Sequence, residues 1–404
     1  MTQNQSPNSQ AKKVGGRILA VTVSLGALLC VLGMSVFMTS GNTRTIDVNS
    51  RIFTPLSIEY IGEYQLPNNF KVKDTPVGGL SGLTYDKTID RFYAVSDDRS
   101  QKAPARFYTL KLDLDTTNPN QIKFRKVDIT DVTIFKNSDG KTYEVGTIDP
   151  EAIAVTPQAS VFVSSEGDRN KGIGAFIDEF DLKSGQAKQA LPIPERYLAD
   201  KEGKRGMQNN LAFEGMTISP TGSFPASGEP LRIFAATESA LIQDKEVSKV
   251  GKDGKIPGAK NRWLHYLLSD KAEVISEHLY QLDSPPLGSI EHGLSEIQSI
   301  DTSGHFLTLE RSFGLFGFRI KIFQAVTPGA TDTSKIASFK GNINVRPIQK
   351  QLAFDLKQLN IYIDNQEGMS FGAKLPDGSQ TLLLVSDNNF NARQITQFLL
   401  FKVK

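Results

Sequence analysis

The sequence predicts an all-β chain folded as a β-propeller, behind an N-terminal transmembrane or signal helix. The first observation is a segment related to FEGMTISP that recurs along the chain at intervals of roughly 60 to 80 residues, the kind of period expected of repeat architectures. The second is that short strands and polar turns separate the copies, which is the signature of a radially repeated β fold. The copies read SGLTYD from Ser81, PEAIAVTP from Pro150, FEGMTISP from Phe213, LSEIQSID from Leu294 and QEGMSFG from Gln366.

The third observation is that each copy is followed by an apolar strand ending in a polar or acidic residue. Five copies favour five blades, and six blades are the alternative if the long excursions hide another sheet. The following strands are FYAVSDD to Asp98, VFVSSEGD to Asp168, IFAATE to Glu238, HFLTLE to Glu310 and LLLVSDN to Asn388.

The composition is that of a globular protein without a nucleic-acid footprint. Of 404 residues, 39% are hydrophobic and 22% charged, and 46 basic residues nearly balance 44 acidic ones. Net charge therefore gives no support for a nucleic-acid partner. The only cysteine, Cys30, lies in the N-terminal apolar run, so the rest of the chain has no disulfide.

The N-terminal part of the chain predicts a membrane segment. Residues 1–17 are polar and basic, and residues 18–38 form an uncharged apolar run that is long enough to span a bilayer. Lys12, Lys13 and Arg17 precede the run, which predicts that this end stays in the cytoplasm while the rest lies outside. The expected location is therefore a membrane-anchored domain outside the cytoplasm, periplasmic or at the cell surface.

A cleaved signal peptide is the alternative, and it would make the protein secreted. Gly33 and Ser35 would supply the small residues of a cleavage site. Residues 39–56 read as a polar tether, and residues 57–404 as the propeller domain.

The strands of the predicted blades follow in order. The first two repeats each give four strands, and the third needs an excursion through a Lys- and Gly-rich loop at 245–260, predicted to lie on the surface. In the fourth repeat the outermost strand is unclear around the loop from Thr327. The fifth repeat has only three strands, so we expect the strand around 58–64 to pair with 397–403 and close the ring.

These segments, in this order, resemble the phytase-like family, described as having esterase-like activity of phytase. The likeness runs from about Ser57 to Val403 and rests on GGLSGLTYD, DPEAIAV, VFVSSEGDR, FEGMTISP and NQEGMSFG with the strands that follow them. The resemblance implies a secreted or membrane-attached propeller that hydrolyses phosphate esters with calcium. The expected partner is then a small phosphorylated or ester substrate.

The residues themselves indicate where such chemistry would occur. The inner strands of a propeller line a central channel, so acids at equivalent repeat positions should converge at one mouth. Converging carboxylates repel one another unless cations intervene, and Ca²⁺ prefers oxygen ligands. The alternative is that each acid caps a turn within its own blade. The candidate ligands are Glu151, Glu214 and Glu367 in one position of the repeat, with Asp97, Glu166, Glu238, Glu310 and Asp387 in the other.

Arginine follows an acid in three repeats, as Arg99, Arg169 and Arg311. Guanidinium groups suit phosphate, so we expect Arg99 and Arg311, together with Glu214 and Glu367, to be the catalytic candidates. Local ion pairing between blades is the alternative for these arginines.

Two other motifs are excluded by their context. GMSFG matches the serine-hydrolase elbow around Ser370, but a turn and a strand follow it where the elbow needs a helix. The four histidines lack metal-ligand spacing, which makes a zinc site unlikely on this pattern. Two function classes remain: a metal-dependent phosphoesterase, or a non-catalytic propeller that binds a ligand or protein at the cell surface and uses calcium for rigidity.

Overall fold

Five four-stranded antiparallel sheets make up the fold. The computed structural model describes residues 52–118, 121–219, 230–246, 255–341 and 344–404. The predicted membrane segment at 18–38 and most of the tether at 39–56 lie outside the described residues, as does the centre of the loop at 245–260. No helix among the described residues is long and apolar enough to cross a membrane.

The chain enters the domain through β1 and a short hairpin, and then builds four blades in sequence. The entering strands are β1 (Ile58–Leu66), β2 (Lys71–Val72) and β3 (Thr75–Pro76). Blade 1 comprises β4 (Leu80–Asp86), β5 (Arg91–Ser96), β6 (Arg106–Asp115) and β7 (Lys123–Ile134). Blade 2 comprises β8 (Pro150–Val155), β9 (Ser160–Ser165), β10 (Phe176–Asp181) and β11 (Ala187–Ala190). Blade 3 comprises β12 (Phe213–Ile218), β13 (Leu231–Thr237), β14 (Lys260–Leu268) and β15 (Ala272–Gln281).

The last two blades complete the ring. Blade 4 comprises β16 (Ser289–Ser299), β17 (His305–Gly314), β18 (Gly317–Val326) and β19 (Gln349–Asp355). Blade 5 comprises β20 (Gln366–Lys374), β21 (Gln380–Ser386), β22 (Thr396–Val403) and, from the other end of the domain, β1. Short 3-10 helices occur at Arg169–Lys171, Glu195–Tyr197, Ile242–Asp244 and Leu356–Leu359.

The pattern of burial explains why the second strand of each blade could be predicted from the sequence and the outer strand could not. Second strands such as β5 and β21 are almost entirely buried, since sheets pack on both of their faces, and they read as continuous apolar runs. The outer strand β7 is exposed at many positions and carries a mixed sequence, KFRKVDITDVTI. For the same reason the sequence did not predict β19, whose residues QKQLAFD include none that is buried.

The predicted closure of the ring is confirmed. β1 pairs antiparallel with β22, from Ile58 opposite Val403 to Leu66 opposite Thr396. The described residues form five blades, as preferred from the sequence, and not the six of the alternative. The inner strands β4, β8, β12, β16 and β20 each contact the next around the axis.

The hydrophobic core is divided into five clusters, one between each pair of neighbouring blades. For example, Trp263 of blade 3 packs edge-on against Phe306 of blade 4, with ring centroids 5.0 Å apart. Each blade is thus stabilised by its neighbours, and an open ring would leave two apolar faces in water.

We predict that the closing strand is required for a stable domain. A chain that starts at Pro67 lacks β1, so it should expose the edge of β22 and lower the melting temperature by on the order of 10 °C or more. A chain that starts at residue 52 is the control and should remain a monomer with full stability. Size-exclusion chromatography and thermal unfolding measure both effects; equal behaviour of the two chains would contradict this account of closure.

Candidate functional site

A β-bulge at the same place in every inner strand positions the first set of acids. The ladder between the first two strands of each blade skips a residue at this point, or two in blade 2. A bulge re-aims the side chain of the extra residue. The residues concerned are Ser81, Glu151 with Ala152, Glu214, Ser295 and Glu367.

The second set of acids follows the end of the second strand in four blades. Their backbone amides bond to the carbonyl just before each inner strand, which holds them in equivalent places. The bonds are Asp97 to Gly79 (2.8 Å), Glu166 to Asp149 (3.0 Å), Glu238 to Ala212 (2.7 Å) and Asp387 to Asn365 (2.9 Å).

Blade 4 differs from the sequence prediction by one residue. Leu294 lies opposite Glu310 in the ladder, whereas the equivalent residue of blade 1, Leu80, lies opposite Ser96. The residue that takes the place of Asp97 is therefore Arg311, not Glu310.

The prediction that Glu310 joins the other acids is thus corrected. Its carboxylate accepts a hydrogen bond from the Tyr280 hydroxyl at 2.7 Å and from the Asp283 amide at 3.0 Å, and it bonds Lys350. Glu310 is 2% exposed and lies between blades 3 and 4. Because the residue after it is also polar, the repeat pattern alone could not fix this register.

The remaining predicted acids do come together, and Asp149 joins them. We call this set the acid ring: Asp97, Asp149, Glu151, Glu166, Glu214, Glu238, Glu367 and Asp387. All but Asp97 are buried, and six of the eight line a cavity of about 840 Å³ at one end of the channel. Glu166 and Glu238 do not line this cavity.

Asp149 is the acid that sequence reasoning missed. It directly precedes the inner strand of blade 2, where blades 1, 3 and 4 have Gly79, Ala212 and Gly293. The only signal was its position one residue before the repeated PEAIAV segment.

Burial and mutual repulsion raise the pKa values across the acid ring. Burial and then the neighbouring carboxylates raise the pKa of Glu151, Glu166 and Glu214 well above the ordinary value for glutamate. Burial raises the pKa of Asp149 to about 6 and that of Glu238 to about 7, although Arg99 and Arg311 respectively oppose the rise.

Two arginines contact this negative charge. Arg311 lies among carboxylates, with Nη2 3.0 Å from Glu238, Nη1 3.3 Å from Glu291 and Nε 3.5 Å from Glu367. Burial works against its charge, but these carboxylates raise the pKa of Arg311 above its ordinary value. Arg99 Nη2 lies 2.5 Å from Asp149 and 2.6 Å from the Asn210 side-chain oxygen.

The donor set fits a hard divalent cation. Two triads, Asp149 with Glu151 and Glu166, and Glu166 with Glu214 and Glu238, each place one oxygen per residue within 4.8 Å of the others. Glu166 belongs to both triads, and its Oε2 is buried without a hydrogen-bond partner. Carboxylate oxygens are the ligands that Ca²⁺, Mg²⁺ and Mn²⁺ prefer. An oxygen that is buried without a donor, among like charges, is the atom that an ion would satisfy.

A further buried carboxylate, that of Glu296, lies among backbone amides of the inner strands. It occupies the repeat position that is Gly82, Gly215 or Gly368 in blades 1, 3 and 5. Its Oε1 accepts bonds from the amides of Ile297 at 2.9 Å and Met216 at 3.2 Å. Burial raises the pKa of Glu296 well above its ordinary value, while hydrogen bonds from these amides and those of Met369 and Leu83 oppose the rise.

The other sequence candidates have local roles. Asp168 caps the 3-10 helix Arg169–Lys171, and Arg169 donates to the Met207 carbonyl. Arg106, the first residue of β6, is fully buried and pairs with Asp98 at 2.7 Å. Ser370 lies on a strand and donates to its neighbour's carbonyl.

A known protein-family model matches most of the chain. The family model called Phytase-like, with the description "Esterase-like activity of phytase", matches residues 75–390. No curated protein sequence matches the chain.

Solved structures give only distant likenesses. A structure of the Dos1 propeller is 7% identical over 81% of this chain and 69% of its own, with a TM-score of 0.32. A glycoside hydrolase of the GH130 family, targeting β-1,2 mannosidic linkages in Candida mannan, is 11% identical over 84% and 94%, with a TM-score of 0.40. The catalytic domain of a GH62 α-L-arabinofuranosidase from Coprinopsis cinerea is 11% identical over 86% and 97%, at 0.37. Likenesses this weak carry no argument about the site.

The raised pKa values predict that, with metal ions removed by a chelator, the stability of the domain falls as the pH rises. An acid whose pKa is higher in the folded state keeps its proton there while the unfolded chain has lost it, so its contribution is present below about pH 4 and is lost as the pH rises through the folded value. With Asp149 at about 6 and Glu238 at about 7, the melting temperature should fall between pH 4 and pH 7. Thermal unfolding at a series of pH values measures this. A melting temperature that rises steadily over that window would contradict the assignment.

Proposed function

The chain belongs to the phytase-like family, whose model covers most of its length, and from this premise we propose that it is a calcium-dependent hydrolase of phosphate esters acting at the acid ring. The observation that carries the proposal is the excess of acid: eight carboxylates, seven of them buried, meet two contacting arginines, and one oxygen of Glu166, the residue that both triads share, has no hydrogen-bond partner. Buried charge of one sign needs compensation by cations or by protons.

The two triads that share Glu166 would hold the ion. When bound, Ca²⁺ would polarise a phosphoryl oxygen and make its bound water more acidic. The wide range of oxygen number and geometry that Ca²⁺ accepts suits a ligand set drawn from several blades.

Glu367 is the group we propose for proton transfer, and Glu214 acts beside it as an ionised ligand of the ion. Both project from bulges into the cavity, and the raised pKa of Glu367 favours general acid or base work. Asn365 Nδ2 donates to Glu367 at 2.8 Å and orients it. Glu367 would accept a proton of the attacking water as the water oxygen bonds to phosphorus, and would give that proton to the alcohol oxygen as the bond from phosphorus to the alcohol breaks.

The two arginines have different roles in this proposal. The side chain of Arg99 is 29% exposed and lines the cavity, so its guanidinium can donate to a phosphate while it stays near Asp149. The side chain of Arg311 is 10% exposed and already faces three carboxylates, so it positions Glu238 and Glu367 and does not bind substrate.

A second candidate function is a calcium-stabilised propeller that binds a ligand or protein without catalysis. The contacts of Arg311 favour it, because this arginine is already paired with carboxylates and is not free to bind a phosphate. In that case the acid ring and its ion would only rigidify the channel mouth. The two functions differ in one respect that can be measured: the second predicts calcium binding without turnover of any phosphate ester.

We predict that calcium stabilises the domain through the acid ring. At a calcium concentration about 100 times the dissociation constant, linkage contributes about 2.7 kcal/mol to the free energy of unfolding. Glu214→Gln keeps the size of the side chain and removes one ligand charge, so the calcium-induced rise in melting temperature should shrink. The same variant should lower turnover of a phosphomonoester panel by about 10²-fold or more.

Glu310→Gln is the matched control. It removes a buried carboxylate that the sequence pattern placed in the set but that lies outside the acid ring. It should lower stability equally with and without calcium and leave the calcium increment unchanged. Loss of the increment in Glu310→Gln, or its retention in Glu214→Gln, would refute the proposed ligands; calcium binding with no turnover would select the second function.

We further propose that residues 18–38 anchor the protein with the propeller outside the cytoplasm. The support is the length of the apolar run and its basic N-terminal flank. We expect the full chain to stay with the membrane fraction after an alkaline wash and the propeller to be accessible to protease added from outside. A mature protein whose first residue lies near 36 or 42 would show instead that the run is a cleaved signal.

A further inference from the structure

Blade 4 rises higher over the acid ring than the other blades do. The second strands of blades 1, 2, 3 and 5 end just before the acid of the second set, at Ser96, Ser165, Thr237 and Ser386. In blade 4, β17 continues three residues past the equivalent position, through Ser312 and Phe313 to Gly314, and pairs with β18 up to Gly317. The extension stands beside the mouth of the channel.

Three aromatic side chains on and next to this extension form what we call the apolar wall: Phe313, Phe318 and Tyr362. Phe313 is 36% exposed and Tyr362 is 59% exposed, while Phe318 is half-buried. The rings of Phe313 and Phe318 lie 4.8 Å apart, so the pair presents one apolar face. Large exposed apolar side chains grouped beside a polar mouth are a usual mark of a binding surface.

The apolar wall is continuous with the acid ring. Its three residues line the 840 Å³ cavity together with the carboxylates, and they also line a neighbouring cavity of about 410 Å³. Ile320, Leu356, Ile361 and Ile363 contribute further apolar surface to this second cavity. A molecule with one end at the acid ring would therefore have its other end against aromatic and aliphatic side chains.

The charges at the mouth argue against a substrate with many phosphates. The basic residues that line the larger cavity are Arg99, Lys102 and Arg311, and both arginines already contact carboxylates. Each phosphate beyond the one held at the ion would add negative charge close to the acid ring, at a cost that grows with the number of phosphates. The larger cavity thus combines a strongly acidic side with the aromatic side chains of the apolar wall.

We propose that this site takes esters with a single phosphate on an apolar alcohol, aryl or alkyl, with the phosphate at the acid ring and the alcohol on the apolar wall. This inference rests on the proposed function for the position of the phosphate. It goes beyond that function by assigning the apolar wall as the subsite that selects the alcohol.

The test uses phosphonates, which bind without being hydrolysed. Isothermal titration calorimetry in calcium compares naphthylmethylphosphonate, methylphosphonate and inositol hexakisphosphate on the full chain in detergent. We expect the naphthyl compound to bind at least about tenfold more tightly than methylphosphonate, because the wall would bury much of its ring. Inositol hexakisphosphate should bind more weakly than the naphthyl compound.

Variants of the apolar wall test whether it is the source of the tighter binding of the naphthyl compound. Phe313→Ala and Tyr362→Ala should each weaken the naphthyl compound about fivefold and leave methylphosphonate unchanged. Leu352→Ala is the control, since Leu352 is 51% exposed on β19 and lines neither cavity. It should change neither affinity.

The outcomes separate this inference from the proposed function. Preferential binding of the naphthyl compound that the wall variants remove supports the inference, even if no phosphate ester is turned over. Turnover of phosphate esters with equal affinity for the naphthyl and methyl compounds overturns the inference and leaves the function standing. Tightest binding of inositol hexakisphosphate, or no binding of either phosphonate, also overturns it.

Discussion

The convergence of five strands on one axis is the constraint on which the rest of this structure depends. The inner strands approach so closely that a Cβ on Gly82 would lie 2.6 Å from the Glu151 carbonyl oxygen, and one on Gly215 would lie 3.0 Å from the Ile297 amide nitrogen. Each strand bulges at this point, and amides two residues past the bulges turn toward the axis. Glu296 accepts from these amides, so one side chain of blade 4 satisfies amides of several inner strands at a position that is glycine in blades 1, 3 and 5.

The same bulges that bring the strands together also create the candidate site. A bulge directs its extra residue toward the channel mouth, and in three blades that residue is glutamate. Burying these carboxylates together with those of the second set destabilises the fold unless protons, arginines or a cation compensate their charge. The acid ring is thus costly for stability, which is the expected relation between a functional site and the fold that holds it.

Much of the fold could be predicted from the sequence because the inner and second strands of each blade are buried and repeat. The pairing of β1 with β22 followed from counting strands, since the last repeat lacked one. The outer strand β19 could not be predicted, because it is exposed and its composition is mixed. The residues at equivalent positions of the blades were harder to predict than the strands. Asp149 precedes its repeat and Glu296 replaces a glycine, so neither matches the pattern that the other blades define.

In blade 4, a shift of one residue in the alignment of the repeat changes the electrostatics of the site. Reading Glu310 as the ring member would place another carboxylate in the second set and leave Arg311 free for a phosphate. The ladder instead places Arg311 in the ring, where it lies among Glu238, Glu291 and Glu367. This substitution divides the mouth electrostatically. Arg311 is a fixed cation for Glu238 and Glu367, and Arg99 is one for Asp149, whereas Glu151, Glu166 and Glu214 of the triads have no salt bridge to a basic side chain among the described residues. An exchangeable ion is therefore needed most at these three triad carboxylates, and a phosphate drawn to that ion would leave the rest of its ester to reach the extension of blade 4, the blade next to blade 3.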